Sequence, residues 1–264
     1  MPSVLPHNLS AGSAWGSGGA AFDVLSEHTA DAIAHVVDRV WPTPGERFLD
    51  IATGTGWAAR HLAARGAVVT GIDIGDGVIE AAKRLGPGIT FQVGDAEALE
   101  FDEGAFDGVT STFGVMFVAR PTAAAGEIAR VIRKGGRLAL VTWLPGGPVE
   151  DLFKLTRTFM PAPPAEPRPT PFEWSREERA RELLGGAFEL TFERGTNVLR
   201  VPSGQIMWDI FVTGFGPLKA LAASLDSSRR TALERAFISL HERYRTLAGP
   251  AVPRDYIVTV GVRQ

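Results

Sequence analysis

Apolar residues in the first half of the chain fall into short runs separated by stretches of helical period. Phe22–Trp41 carries Val24, Leu25, Ile33, Val36, Val37 and Val40 near helical spacing. This predicts one helix, stopped by Pro42, Pro44 and Gly45. The residues up to Gly19 are rich in Gly and Ser and read as irregular. An alternation then sets in. Arg47–Ala52 reads as a strand, Trp57–Ala64 as a helix, Val68–Ile72 as a strand, Gly77–Leu85 as a helix and Ile89–Val93 as a strand. Phe106–Thr112 follows as a fourth strand, Thr122–Ile132 as a helix capped by Lys134-Gly135-Gly136, and Arg137–Trp143 as a fifth strand. Strands alternating with helices on short loops make βαβ units, hence a parallel sheet covered on both faces.

After Trp143 the pattern changes. PAPPAEPRPTP (Pro161–Pro171) is too dense in proline for the interior of a helix or strand. It reads as a stiff polyproline connection on the surface, with a ligand for a signalling domain as the minor alternative. Ser175–Leu184 reads as a short charged helix with a solvated face. Phe188–Val201 alternates well enough for a strand. Gln205–Leu225 and Ser228–Leu247 read as helices, the first interrupted around Gly214, Gly216 and Pro217, and Tyr256–Val262 as a last strand. The chain thus divides into an N-terminal helical cap segment (1–45), a core (46–145), and a Pro-rich connection with further helices and two late strands (146–264).

The chain has 264 residues, 45% hydrophobic and 22% charged, with a net charge of -3. That is enough for a real core, and the absence of a basic excess makes nucleic acid an unexpected partner. With no cysteine, disulfides, thiolate metal sites and cysteine nucleophiles are excluded. The N-terminus lacks a basic segment followed by an apolar core, and no window approaches ~18 uninterrupted apolar residues. Neither a secretory signal nor a membrane span is therefore expected, and a cytoplasmic location is. Nothing in the sequence points to a particular oligomeric state.

The chemistry concentrates around FLDIATGTGW (Phe48–Trp57), where two glycines stand between a strand and a helix. Glycines there let a ligand approach the backbone at the helix N-terminus. Gly54-x-Gly56-x-x-Ala59, with Asp73 at the tip of the second strand, suits a dinucleotide. It equally suits S-adenosylmethionine (SAM), whose ribose also needs a carboxylate. Asp95, just past the third strand and beside small Ala96, is placed to accept from an adenine amino group, or equally to cap a helix. The five histidines, His7, His28, His35, His61 and His241, show no metal spacing. They read first as surface or core residues. His28, His241 and Tyr244 are base candidates only if the first helix and the penultimate helix cover the pocket, and no residue is assigned as catalytic.

FLDIATGTG, VTGIDI, VGDAEALEF, FDGVTSTFGVMF and IRKGGRLALVTW, in this order, resemble class I SAM-dependent methyltransferases. They are most similar to the bacterial small-molecule branch that includes ubiquinone- and menaquinone-biosynthesis-like enzymes. AWGSGG, with Trp15, resembles a segment that precedes the core there. The resemblance implies a Rossmann-like α/β fold: a seven-stranded, mostly parallel sheet flanked by helices, its last strand antiparallel between the fifth and sixth. It implies that Ala52, Thr53, Gly54 and Gly56 line the methionine end of SAM. Asp73 would bind the ribose, Ile74 would lie against the adenine, and Asp95 and Ala96 would hold its edge. Trp15, Thr112 and Phe113 would complete the cofactor site. Trp57 departs from the family, packing beneath the loop or narrowing the pocket. The expected acceptor is a small, partly hydrophobic or aromatic molecule, methylated on oxygen, nitrogen or carbon. Met116, Phe117, Trp143, Trp208 and Phe211 are its candidate contacts. The alternatives are a methyltransferase-like protein that binds SAM without transfer, as a cyclase or regulatory module, and a nicotinamide-dependent oxidoreductase.

Overall fold

The structure is a computed structural model describing residues 4–161 and 169–264. Most of the proline-dense stretch lies outside the described residues. Five parallel strands form as expected: β1 (Arg47–Ile51), β2 (Val68–Asp73), β3 (Thr90–Val93), β4 (Phe106–Thr112) and β5 (Ile132–Trp143). Phe188–Arg200 is β6, and Gly249–Arg263 is β8, which a two-residue β7 (Arg245–Thr246) joins at its start. The order is β3-β2-β1-β4-β5-β8-β6. Only β8 runs against its neighbours, β5 and β6. The last strand is thus the antiparallel one between the fifth and sixth.

Helices α3 (Ala30–Val40), α4 (Trp57–Ala64), α5 (Asp76–Leu85) and α6 (Pro121–Val131) bury their apolar stripes against this sheet. A second apolar cluster lies at the carboxyl end of the strands. It joins α9 (Gly204–Gly214), α10 (Gly216–Ser224) and α11 (Ser227–Glu242) to Leu25, Leu199 and Val252. Among the described residues no single helix is long and apolar enough to cross a membrane. Helices α9 and α10 reach that composition together but meet at 92°, and their apolar residues build this second core.

The largest departure from the sequence expectation is at the N-terminus. The stretch before Gly19 is helical, with α1 at Leu9–Gly16. It has no apolar stripe because it seats through glycine. A Cβ on Gly12 would stand 2.7 Å from the Ile74 carbonyl oxygen, and one on Gly77 2.3 Å from that of Gly16. The expected helix Phe22–Trp41 is two, α2 (Phe22–Glu27) and α3, broken at His28–Thr29. The break leaves the His28 carbonyl to accept from Asn197 and Arg254. Lys134-Gly135-Gly136 does not cap a helix but lies within β5, where the pairing with β4 shifts register. Helix α7 (Gly147–Arg157) was not expected. It begins at Gly147-Pro148, where proline suits a first turn. Helix α8 is Glu177–Leu184.

Gly77 offers a test of the α1 seat. It sits in the first turn of α5, so helix propensity alone favours Gly77→Ala by about 1 kcal/mol. The Gly16 carbonyl leaves a methyl no room. Gly77→Ala is expected to destabilise the chain by about 1–3 kcal/mol and to speed proteolysis within α1, read by urea denaturation and limited digestion.

Candidate functional site

The loop after β1 is shaped from beneath by one buried carboxylate. Asp50, fully buried, accepts from Thr53 Oγ1 at 2.6 Å and from Thr110 Oγ1, across the β1–β4 pair, at 2.8 Å. Ala52, Gly54 and Gly56 all take positive φ, at 54°, 55° and 87°. For Ala52 this is an uncommon conformation, of the kind held by its surroundings at functional sites. Gly114 presses against it, since a Cβ there would stand 2.1 Å from that of Ala52. Asp50 is absent from the sequence-derived site, although an acid inside an otherwise apolar strand was a signal.

Two further carboxylates stand at neighbouring strand ends. Asp73 Oδ2 accepts from the Gly54 N–H at 3.0 Å and Oδ1 from that of Gly75 at 2.9 Å. Burial pushes its carboxyl up, and the N–H donors of Gly75, Gly54 and Ile74 oppose that only in part. Each oxygen keeps acceptor capacity for a hydroxyl. Asp95 caps no helix. Its Oδ1 accepts from the Glu97 N–H at 2.9 Å, while Oδ2 takes the Leu5 N–H at 3.1 Å and Asn8 Nδ2 at 2.9 Å. Ala96 is buried beside it. Glu97 holds His7 Nε2 at 2.7 Å and the Arg120 N–H at 2.9 Å. Burial works to raise its pKa, but these donors win and keep it below the usual carboxylate range.

The N-terminal helices roof the loop. The Phe22 ring lies on Gly54. Asp23 Oδ1 accepts from Thr55 Oγ1 at 2.8 Å, Trp57 Nε1 at 2.7 Å and Arg60 Nη2 at 3.2 Å. Trp57 therefore clamps α2 onto the loop, with Arg60 over its ring at 5.3 Å and His61 stacked on it at 6.0 Å. Trp15 meets Phe117 at 4.9 Å and Phe215 at 5.2 Å. From Phe215 an aromatic line continues to Phe211 (5.9 Å), Phe237 (5.4 Å) and Trp208 (5.4 Å). Trp15, Phe117 and Phe211 are thereby brought together. Trp208 ends the line within the second core, and Met116 is packed in the sheet core apart from it.

Phe113 follows Thr112 with φ 58°. Its ring stacks on Trp143 at 3.6 Å and meets Tyr256 edge-on at 6.3 Å. Tyr256 OH lies 3.2 Å from His35 Nδ1, and His35 Nε2 lies 2.9 Å from Glu193. The Arg39 hydrogen bonds, then His35, hold Glu193 down at about 2. His241 donates Nδ1–H to the Phe237 carbonyl at 2.7 Å, which leaves Nε2 as its basic nitrogen. Burial lowers the pKa of His241, and likewise that of His28. His28 lies at the break between α2 and α3, and His241 lies in α11 with its ring 4.2 Å from that of Phe237. Among the described residues no group of three His, Cys, Asp or Glu is arranged to hold a metal ion.

Residues 49–140 match a family model described as a methyltransferase domain. A Mycobacterium tuberculosis protein described only as uncharacterized is 32% identical over 209 residues, 76% of each chain. A demethylmenaquinone methyltransferase of Beutenbergia cavernae is 38% identical over 136 residues, 47% of this chain and 57% of its own. Among solved structures, the YcgJ protein of Bacillus subtilis aligns at a TM-score of 0.60 and 17% identity, over 89% of this chain and 99% of its own. That likeness is one of fold.

Asp50 gives the loop a pH signature. Burial, only partly offset by the two threonine hydroxyls, pushes its carboxyl up to about 6. Between pH 4 and 6 the folded chain keeps a proton that the unfolded chain releases. Stability from this group is therefore present at the acid side and falls as pH rises through the window, by about 3 kcal/mol. Asp50→Asn removes the titration. Its stability relative to the parent is expected to rise from pH 4 to 6 and then level off, read by urea denaturation at each pH. Parallel pH profiles would contradict this assignment.

Proposed function

The chain belongs to the class I SAM-dependent methyltransferases of the bacterial small-molecule type, and on that premise we propose how its residues hold cofactor and acceptor. The observation that carries the reading is the tie between the glycine loop and the strand ends. Ala52, Gly54 and Gly56 turn the backbone outward, and Asp73 is bonded to Gly54. Ligands of open α/β sheets bind at this end.

The residues present fit SAM. In our reading Ala52, Thr53, Gly54 and Gly56 face its methionine part and Asp73 accepts from its ribose hydroxyls. Ile74 lies against the adenine, and Asp95, with Ala96 beside it, accepts from the adenine amino group. Asp95 Oδ1 bonds one donor, the Glu97 N–H, and so keeps room for another. SAM, when bound, supplies a methyl already activated on a sulfonium. The chain then has to orient the acceptor and keep water out. Trp15, Thr112, Phe113 and Phe117 bound the reacting end in this reading. Segment 1–45 and the helices of 146–264 form the roof over core 46–145.

The acceptor is a small, partly hydrophobic or aromatic molecule methylated on oxygen, nitrogen or carbon. Its walls are the Phe113–Trp143 stack, Phe117 and Phe211, with Met116 and Trp208 shaping them from behind. Apolar rings with few polar groups suit such a ligand. The demethylmenaquinone methyltransferases among the relatives act, by their names, on demethylmenaquinone.

Calorimetric titration with SAM, S-adenosylhomocysteine and NADH tests the reading. Micromolar binding of the sulfonium and its product is expected, weakened by about 1–3 kcal/mol in Asp73→Ala. Binding of NADH alone would overturn it.

A further inference from the structure

Among the described residues Arg254 is the one buried arginine, and no carboxylate pairs with it. It lies near the start of β8, which runs against β5, so it stands at the carboxyl end of the parallel strands. It is two residues outward of Tyr256, the partner of Trp143, and directly opposite Asn197 on β6. The residue is 9% exposed, and its guanidinium sits 5.0 Å from the centre of the Trp143 ring. Nη2 donates to the His28 carbonyl at 2.7 Å and to Asn197 Oδ1. Nε is buried without a partner. Nη1 makes no hydrogen bond among the described residues, and no carboxylate there pairs with the guanidinium. Asp31 is the acid whose field reaches it. That carboxylate spends Oδ1 on Asn197 Nδ2 at 2.6 Å and on the Ala32 N–H at 2.7 Å.

A structural account exists. His28 ends α2, and a cation is welcome at a helix C-terminus. It explains one N–H. It does not explain why an arginine only 9% exposed leaves Nε buried and unmade, with no carboxylate partner among the described residues, an arrangement proteins normally avoid. Burial lowers its pKa only to about 10, so the charge persists at neutral pH. His28 and His241, both kept toward the neutral form, add no second cation.

We propose that Arg254 receives an anionic group of the acceptor, a carboxylate carried on a flat, aromatic body lying along the Phe113–Trp143 stack. This rests on the methyltransferase reading and deepens it. A guanidinium matches a carboxylate in shape and charge, and its position over Trp143 puts the anion beside the rings that follow β4. One end of the acceptor is thereby fixed by charge and its body by stacking, which leaves its reacting atom to be aimed at the methyl.

The test uses the protein saturated with S-adenosylhomocysteine, titrated with benzoate, phenylacetate and 4-hydroxybenzoate and with the matching amides. Calorimetry and tryptophan fluorescence are the readouts. At least one carboxylate is expected to bind, roughly thirtyfold or more tightly than its amide. Arg254→Gln is expected to remove that preference while S-adenosylhomocysteine affinity stays within about twofold, and Arg254→Lys to keep part of it. Acid and amide binding alike, no carboxylate binding, or a folded Arg254→Gln with the preference intact would each overturn the proposal. If Arg254→Gln does not fold, the acid–amide comparison on the parent protein decides. Failure of S-adenosylhomocysteine itself to bind would strike the methyltransferase reading instead, and is seen before any acid is added.

Discussion

The buried carboxylate of Asp50 is the point on which the site is built. It joins β1 to β4 through Thr110 and joins both to the glycine loop through Thr53. The Thr53 N–H in turn bonds the Ile72 carbonyl on β2 at 2.8 Å. The Gly54 N–H, one residue on, bonds Asp73 at the end of the same strand. Three strand ends and one loop are thus fixed against each other by buried groups. A loop held this way pays its conformational entropy in folding rather than at ligand binding, which is how preorganisation raises affinity. The cost is a carboxylate in an apolar strand, and the threonine hydroxyls offset it only in part.

The roof depends on that loop in turn. Asp23 bonds Thr55 and Trp57, so α2 takes its position from the loop and the first turn of α4. Helix α1 rests on the turn after β2 through glycine contacts, and the chain before it is tied to Asp95 and Glu97. The N-terminal segment therefore touches the ends of β1, β2 and β3, each through a different chemistry. Trp15 carries the connection onward to Phe215 and the second apolar core. A change in the loop has a continuous packed route to the cap helices.

The parallel core was legible in the sequence because its signals are local. Short apolar runs and glycine stops can each be read within about ten residues of chain, and Asp73, Asp95 and Phe113 each stand at or just past the end of one such run. The order of β6 and β8 came from the family resemblance, since the pairing of strands distant in the chain has no local sign. What was missed is non-local or made of small residues. Helix α1 packs by close backbone approach, and periodicity of apolar side chains cannot register that. The break at His28 exists because Asn197 and Arg254, far along the chain, bond its carbonyl. Asp50 was missed because one of its two partners, Thr110, lies 60 residues further along the chain. Trp57 was ambiguous because its partner, Asp23, lies on an element whose course the sequence misread.

Methyl transfer from a sulfonium asks little proton chemistry of a protein, since the carbon is activated before it arrives. The distribution of polar groups in this chain agrees with that economy. Carboxylates stand at the ends of β1, β2 and β3, and in the proposed reading those of β2 and β3 meet the hydroxyl and amino donors of the cofactor. Past β4 the walls turn aromatic, and Phe113 is held at a strained φ by its stack with Trp143. A strained backbone persists only where its surroundings over-determine it. Here the surroundings are a ring packed at van der Waals distance and a tyrosine braced by His35 and Glu193. In the proposed reading this braced stretch bounds the reacting end, and aim, rather than acid or base strength, is what it would provide.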